Sequence, residues 1–170
     1  LADKLNPSTG FGFTVKAIDG NVTLKKVPVQ INSTGSSIQN IVSQLKLVDA
    51  SGNSLQTADT IGNYISSGAI SASTGCTVKD CGYFFANFGN IIIPSGTTKE
   101  FSVIADIRPI TTSTGDATRS LKVSLANGDV VSSSNLGALD QNGNTITANG
   151  TYRIGSAVGN VITFNTSGST

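Results

Sequence analysis

Read as a pattern of apolar and polar positions, the chain is dominated by a period of two. The clearest instance is IIIPSGTTKEFSVIADIRP, residues 91–109, where Phe101, Val103, Ala105 and Ile107 alternate with Ser102, Ile104, Asp106 and Arg108. Alternation of this kind marks a strand with one buried face, and the Pro-Ser-Gly-Thr-Thr before it marks a turn. The same reading predicts strands at 11–18, 22–31, 41–48, 54–57, 69–73, 83–88, 91–93, 101–107, 121–125, 129–132, 145–147, 151–154 and 161–164. Helical periodicity is confined to a turn or two near residues 37–45. Asp19-Gly20, Ser51-Gly52-Asn53, Asn127-Gly128-Asp129 and Asn142-Gly143-Asn144 separate the strands with residues that tolerate positive φ. Many short strands joined by tight turns predict an all-β fold, an antiparallel sandwich.

One strand carries an irregularity. Val22 and Leu24 point one way, and Val27, Val29 and Ile31 resume one residue out of phase across Lys25-Lys26. A β-bulge there would restore the facing. Pro28, which has no N–H to give to a ladder, predicts that this strand, or that part of it, lies at an edge. Lysines, a bulge and a proline also keep an edge from pairing with the wrong neighbour.

A length of 170 residues fits one domain that buries its own core. The division expected is an N-terminal extension over 1–10, a β-sandwich over 11–164 and a C-terminal tail over 165–170. Charged residues make up only 12% of the chain, with 11 basic against 10 acidic side chains. No cluster of Lys and Arg answers to nucleic acid, and no run of about 18 apolar residues answers to a membrane span. Short neutral polar side chains replace the charges, Ser and Thr alone being roughly a quarter of the residues. Methionine is absent, so the chain reads as a processed mature protein or a piece of something longer.

Candidate chemistry is sparse. Without histidine every Ser-His or Cys-His nucleophile arrangement is excluded. Glu100 is the one glutamate, and Asp19, Asp49, Asp116, Asp129 and Asp140 stand in turn contexts. Asp3, Asp59, Asp80 and Asp106 are scattered, without the spacing of a glycosidase pair. No enzyme activity and no cofactor are expected. Asp140, Asn142 and Asn144 alternate as calcium-loop ligands do, but Thr151 stands where an acidic closing ligand would be needed, and a hairpin turn is the competing use. Among the tyrosines, Tyr64, Tyr83 and Tyr152, Tyr83 heads the run Tyr83-Phe84-Phe85, which suits core or interface packing better than a sugar platform.

Cys76 and Cys81 lie close together without further metal ligands, and their spacing is not that of a redox motif. A disulfide between them is expected, two free thiols being the alternative, and it implies an extracellular setting. Asn21, Asn32, Asn149 and Asn165 head glycosylation sequons and are candidate glycan sites.

The succession IPSGTTKEFSVIADI, TTSTGDATRS and LKVSLANGDV resembles the Ig-like β-sandwich modules of large bacterial and archaeal cell-surface proteins, including those of S-layer type. The resemblance implies an Ig-like sandwich with an extracellular or cell-surface, non-catalytic, structural role. The chain is also similar in length and class to pilins that polymerise by donor-strand exchange. That similarity implies a polymer of identical subunits, a pilus-like filament or a layer, each sandwich open to completion by a terminal strand from its neighbour. Phe11, Phe13 and Val15 alternate on one face and are the first candidates for such a strand, the competing use being to pack into their own domain. The alternative function is an adhesin-like or carbohydrate-binding module of a larger surface protein.

Overall fold

The computed structural model describes residues 8–58, 64–66, 69–71, 80–86, 88–108, 118–125, 138–144, 146 and 162–165. Within them the chain is β apart from one helical turn, as the alternation predicts. The predicted strands at 129–132 and 151–154 lie outside the described residues, as does most of 145–147.

Sheet I runs in the order β1 (Ser8–Lys16), β10 (Thr98–Ile107), β4 (Val42–Asp49), β5 (Ser54–Ala58). Sheet II runs β13 (Ile162–Asn165), β11 (Thr118–Leu125), β3 (Val27–Thr34), β8 (Asp80–Phe85). Every pairing in both is antiparallel. Inward residues of sheet I (Phe11, Phe101, Val103, Ala105, Leu45 and Leu47) and of sheet II (Val29, Ile31, Leu121, Val123 and Phe85) form one buried cluster. The two sheets therefore make a sandwich. At one margin the Gln56 side chain on β5 donates to the Tyr83 hydroxyl on β8 at 3.3 Å, so these edge strands face each other across the core.

The two ends are closed differently. Between β3 and β4 the chain crosses from sheet II to sheet I through α1 (Ile38–Ile41), whose Ile38 and Ile41 are buried. A turn this short leaves carbonyls without helical partners. Arg108 supplies them: its backbone N–H donates to Ile41 O at 2.7 Å, and its guanidinium Nε donates to Gln39 O at 3.0 Å and to Val42 O at 3.2 Å. At the opposite end lies a small antiparallel sheet III, in the order β12 (Ala138–Leu139), β2 (Val22–Leu24), β9 (Ile91–Ile93). Its Leu24 and Ile93 join the core. Two further strands, β6 (Tyr64–Ser66) and β7 (Ala69–Ser71), pair with each other.

The phase change at Lys25-Lys26 has a different cause from the bulge expected there. Residues 22–31 are not one strand: β2 belongs to sheet III and β3 to sheet II. Each keeps its own period of two, and the two lysines span the change of sheet, with Leu24 and Val27 both buried on the core side. Nor is β3 an edge strand, because it pairs with β11 on one side and β8 on the other. Pro28 pairs with Phe84, while among the described residues the ladder to β11 reaches only Val29, so the proline stands just past its end. The missing N–H is tolerated locally, as the sequence required.

Bulges occur elsewhere. Between Asp106 and Ile107 the β10–β4 register shifts, and the Ser43 hydroxyl donates to Asp106 O at 3.0 Å. On the outward side of sheet I, Lys46 Nζ lies 2.6 Å from Asp106 Oδ2, a half-exposed pair worth at most about 1 kcal/mol.

The register of β1 on β10 depends on one glycine. Gly10 is opposite Ile104, and a Cβ there would collide with the carbonyl oxygen of Val103. At Gly12, a Cβ would meet its nearest neighbour, Ser102 Oγ, at an ordinary 3.6 Å. Gly10→Ala is therefore expected to lower stability by about 2 kcal/mol, the usual cost of overpacking, and Gly12→Ala to raise it by about 0.4–1 kcal/mol. Urea unfolding of the two variants beside the parent measures the difference, and equal losses would contradict the close approach at Gly10.

Candidate assembly edge

The first strand brings together the residues singled out for donation. Phe11 is buried, Phe13 and Val15 pack half-buried against the core, and Gly12, Thr14 and Lys16 face solvent. Phe13 lies directly opposite Phe101, with ring centroids 5.5 Å apart and planes 27° apart, and Phe11 is 6.0 Å from Phe13. In this single chain the three side chains pack into their own domain. Yet β1 is an edge: its nine residues, Ser8 to Lys16, pair with β10, and among the described residues no strand lies on its other side.

Where β1 ends, the chain is tied to the turn between β9 and β10. Thr97 N–H and Thr97 Oγ1 both donate to Pro94 O, at 3.1 and 2.7 Å, closing that turn. Ala17 N–H donates to Thr97 O at 3.1 Å and Gly96 N–H donates to Ala17 O at 2.8 Å, extending the ladder by one residue. Ser95 then binds the loop to β2 at three points. Its N–H donates to Asn21 Oδ1 at 3.0 Å, its hydroxyl donates to Ile18 O at 3.2 Å, and it accepts from Gly20 N–H at 3.0 Å.

No protein-family model and no curated protein matches this chain.

The calcium candidates are brought together, but as a turn. Asp140 Oδ1 accepts from the N–H groups of Asn142 and Asn144, both at 2.8 Å, and Oδ2 accepts from the Asn144 side-chain amide at 3.1 Å. The carboxylate is thus filled by N–H donors, and Asn144 turns its nitrogen towards it. The same arrangement recurs at Asp49, which accepts from Ser51 and Asn53 N–H at 2.9 Å and from the Asn53 side chain at 3.0 Å. Asp-x-x-Gly-Asn underlies both hairpins: in each the glycine takes a positive φ, 82° at Gly52 and 83° at Gly143, where a side chain would be strained. Among the described residues no group of three His, Cys, Asp or Glu could hold a metal ion.

The other candidates are dispersed. Asn21 is exposed at the β1–β2 loop, while Asn32 is half-buried in the paired interior of β3. Asn149 lies outside the described residues, and Asn165 ends β13 opposite Thr118. Cys81 enters β8 opposite Ile31, whereas Cys76, and with it the question of their pairing, lies outside the described residues. Glu100 is exposed on β10, Asp106 faces Lys46, Asp80 pairs with Asn32, and Asp59 lies outside the described residues. Tyr83 is 7% exposed, packs edge-on to Phe85 at 4.9 Å and has its hydroxyl pKa raised by burial, so it offers no face to a sugar. The side chain of Tyr64 and the whole of Tyr152 lie outside the described residues. No helix of the described residues is long and apolar enough to cross a membrane.

Gly10 and Ser95 were not among the residues singled out. Ser95 is visible in sequence only as part of a Pro-Ser-Gly-Thr turn; its partners are 74 to 77 positions away. No local pattern encodes them.

Both turn aspartates titrate below the ordinary value of 3.8. For Asp49 the leading cause is the Asn53 side chain, and for Asp140 the backbone N–H of Asn144. A depressed folded-state pKa means the fold favours the ionised form. Its stabilisation is complete above the unfolded value and disappears as pH falls through the folded one. The Asp49→Asn/Asp140→Asn variant should therefore melt below the parent at neutral pH, and the gap should narrow as pH falls below about 3.8. Thermal unfolding across that range checks it, a pH-independent gap being the contrary result.

Proposed function

We propose that this chain is a structural subunit of an extracellular polymer, a filament or a surface layer, built by complementation of sheet edges between identical copies. The observation that carries the reading is β1, an edge strand at the start of the described chain. Nine successive residues pair with one neighbour, and three inward apolar side chains give the pairing its register. Whatever strand lies on the β1 side of β10 must place an apolar residue against Phe101 and a glycine against Ile104. A second copy of the same sequence meets both demands. Backbone hydrogen bonds would give continuity along the polymer and the alternate side chains specificity.

The low charge and the Ser, Thr and Asn surface support the same reading, since few charges have to be desolvated where subunits touch. Nothing in it requires catalysis or a cofactor, and the work is association.

Electron microscopy of the undenatured protein, with its mass read by light scattering from the same sample, tests the proposal. Ordered filaments or sheets with a single subunit repeat are the expected result. A monodisperse monomer would overturn it and favour a ligand-binding surface module.

A further inference from the structure

We infer that Ser95 is a latch that keeps β1 in its own chain, and that the occupant admitted when it opens is the β1 strand of a second copy. This rests on the strand-complementation reading above and adds what controls it.

For β1 to leave β10 while β2 stays in sheet III, residues 18–21 must change from a tight loop into an extended hinge. In the closed form both ends of that loop are tied to one residue: Ile18 O accepts from the Ser95 hydroxyl and Asn21 Oδ1 accepts from the Ser95 N–H, with Gly20 N–H bound between them. Extension separates Ile18 from Asn21, and a single serine cannot follow both. Apolar packing contributes little to holding the loop, because Ile18 is 68% exposed and Asp19 and Asn21 are exposed beside it. The hydrogen bonds are what keep it folded back.

Strand exchange between identical chains reproduces every contact of the closed form except those of the hinge. The pairing of Phe13 with Phe101, the fit of Gly10 and the ladder through Ala17 and Thr97 are the same whether strand and acceptor belong to one chain or two. They cancel from the balance between closed and exchanged forms. The Ser95 contacts to Ile18, Gly20 and Asn21 do not.

The test is capture of a fluorescent synthetic peptide with the sequence of residues 8–16 by the full-length protein, followed by anisotropy, for the parent, Ser95→Ala and Ser95→Thr. Removing the hydroxyl abolishes two of the three ties and should speed capture about tenfold, while threonine, which keeps a hydroxyl, should restore the parental rate. Circular dichroism and a urea curve establish that Ser95→Ala is folded. If it proves globally unstable, Asn21→Ala, which removes the third tie, replaces it with the same expectation. Capture by a folded latch variant at the parental rate would overturn the inference. The peptide readout does not depend on assembly, so faster capture without any filaments would support the latch and count against the polymer alone.

Discussion

Strand β10 is the constraint on which the rest of the sandwich depends. Its inward residues, Phe101, Val103, Ala105 and Ile107, are all buried, and it pairs with β1 on one side and β4 on the other. Because the side-chain period is two, a slip of one residue on either side would turn that neighbour's apolar set out to solvent. Phe13 against Phe101 and Gly10 against Ile104 exclude such a slip for β1, while Lys46 reaching Asp106 favours the observed register of β4. Beyond its last residue β10 delivers Arg108 to the open carbonyls of α1. One strand thus sets the lateral order of sheet I and completes one end of the fold.

What was legible in the sequence was whatever depends on neighbours a few positions away. The alternation at 101–107 located β10, the run at 91–93 matched β9 to the residue, and the turn residues marked both Asp-x-x-Gly-Asn hairpins. The phase break at Lys25-Lys26 was equally visible, but its meaning was not. A bulge within one strand and a change of sheet between two strands leave the same one-residue offset, and only the partners of β2 and β3 distinguish them. Strand β12 escaped because two residues hold too few positions for a period of two to show, and β6 because Tyr64-Ile65-Ser66 lacks the unbroken apolar run that marks β9.

The candidate edge divides along the same line. Phe11, Phe13 and Val15 could be selected from alternation alone, since their inward facing is a local property. That Gly10 is a steric requirement follows only from the approach of Val103, and that Ser95 ties a loop follows only from partners far away in the chain. Residues that fill a core announce themselves by hydrophobicity, whereas those that hold loops in register are small and polar and look like any other turn residue.

The connections at the two ends of the sandwich are held differently, and this bears on which could open. At the α1 end Ile38 and Ile41 are buried, so separation would expose apolar surface at about 25 cal/mol for each Å². At the sheet III end Leu24, Ile93 and Ala17 join the core, but past Ala17 the β1–β2 loop is held by hydrogen bonds between exposed groups, and its Ile18 is 68% exposed. Exposed hydrogen bonds exchange with water at a small net cost. The loop that must extend if β1 is to be lent lies at this second end, while the burial of Phe11 and Phe13 survives the transfer to an identical chain. Lending of the first strand, as proposed, would therefore break the exposed hydrogen bonds of one loop and leave the core contacts of Phe11 and Phe13 to be remade by an identical chain.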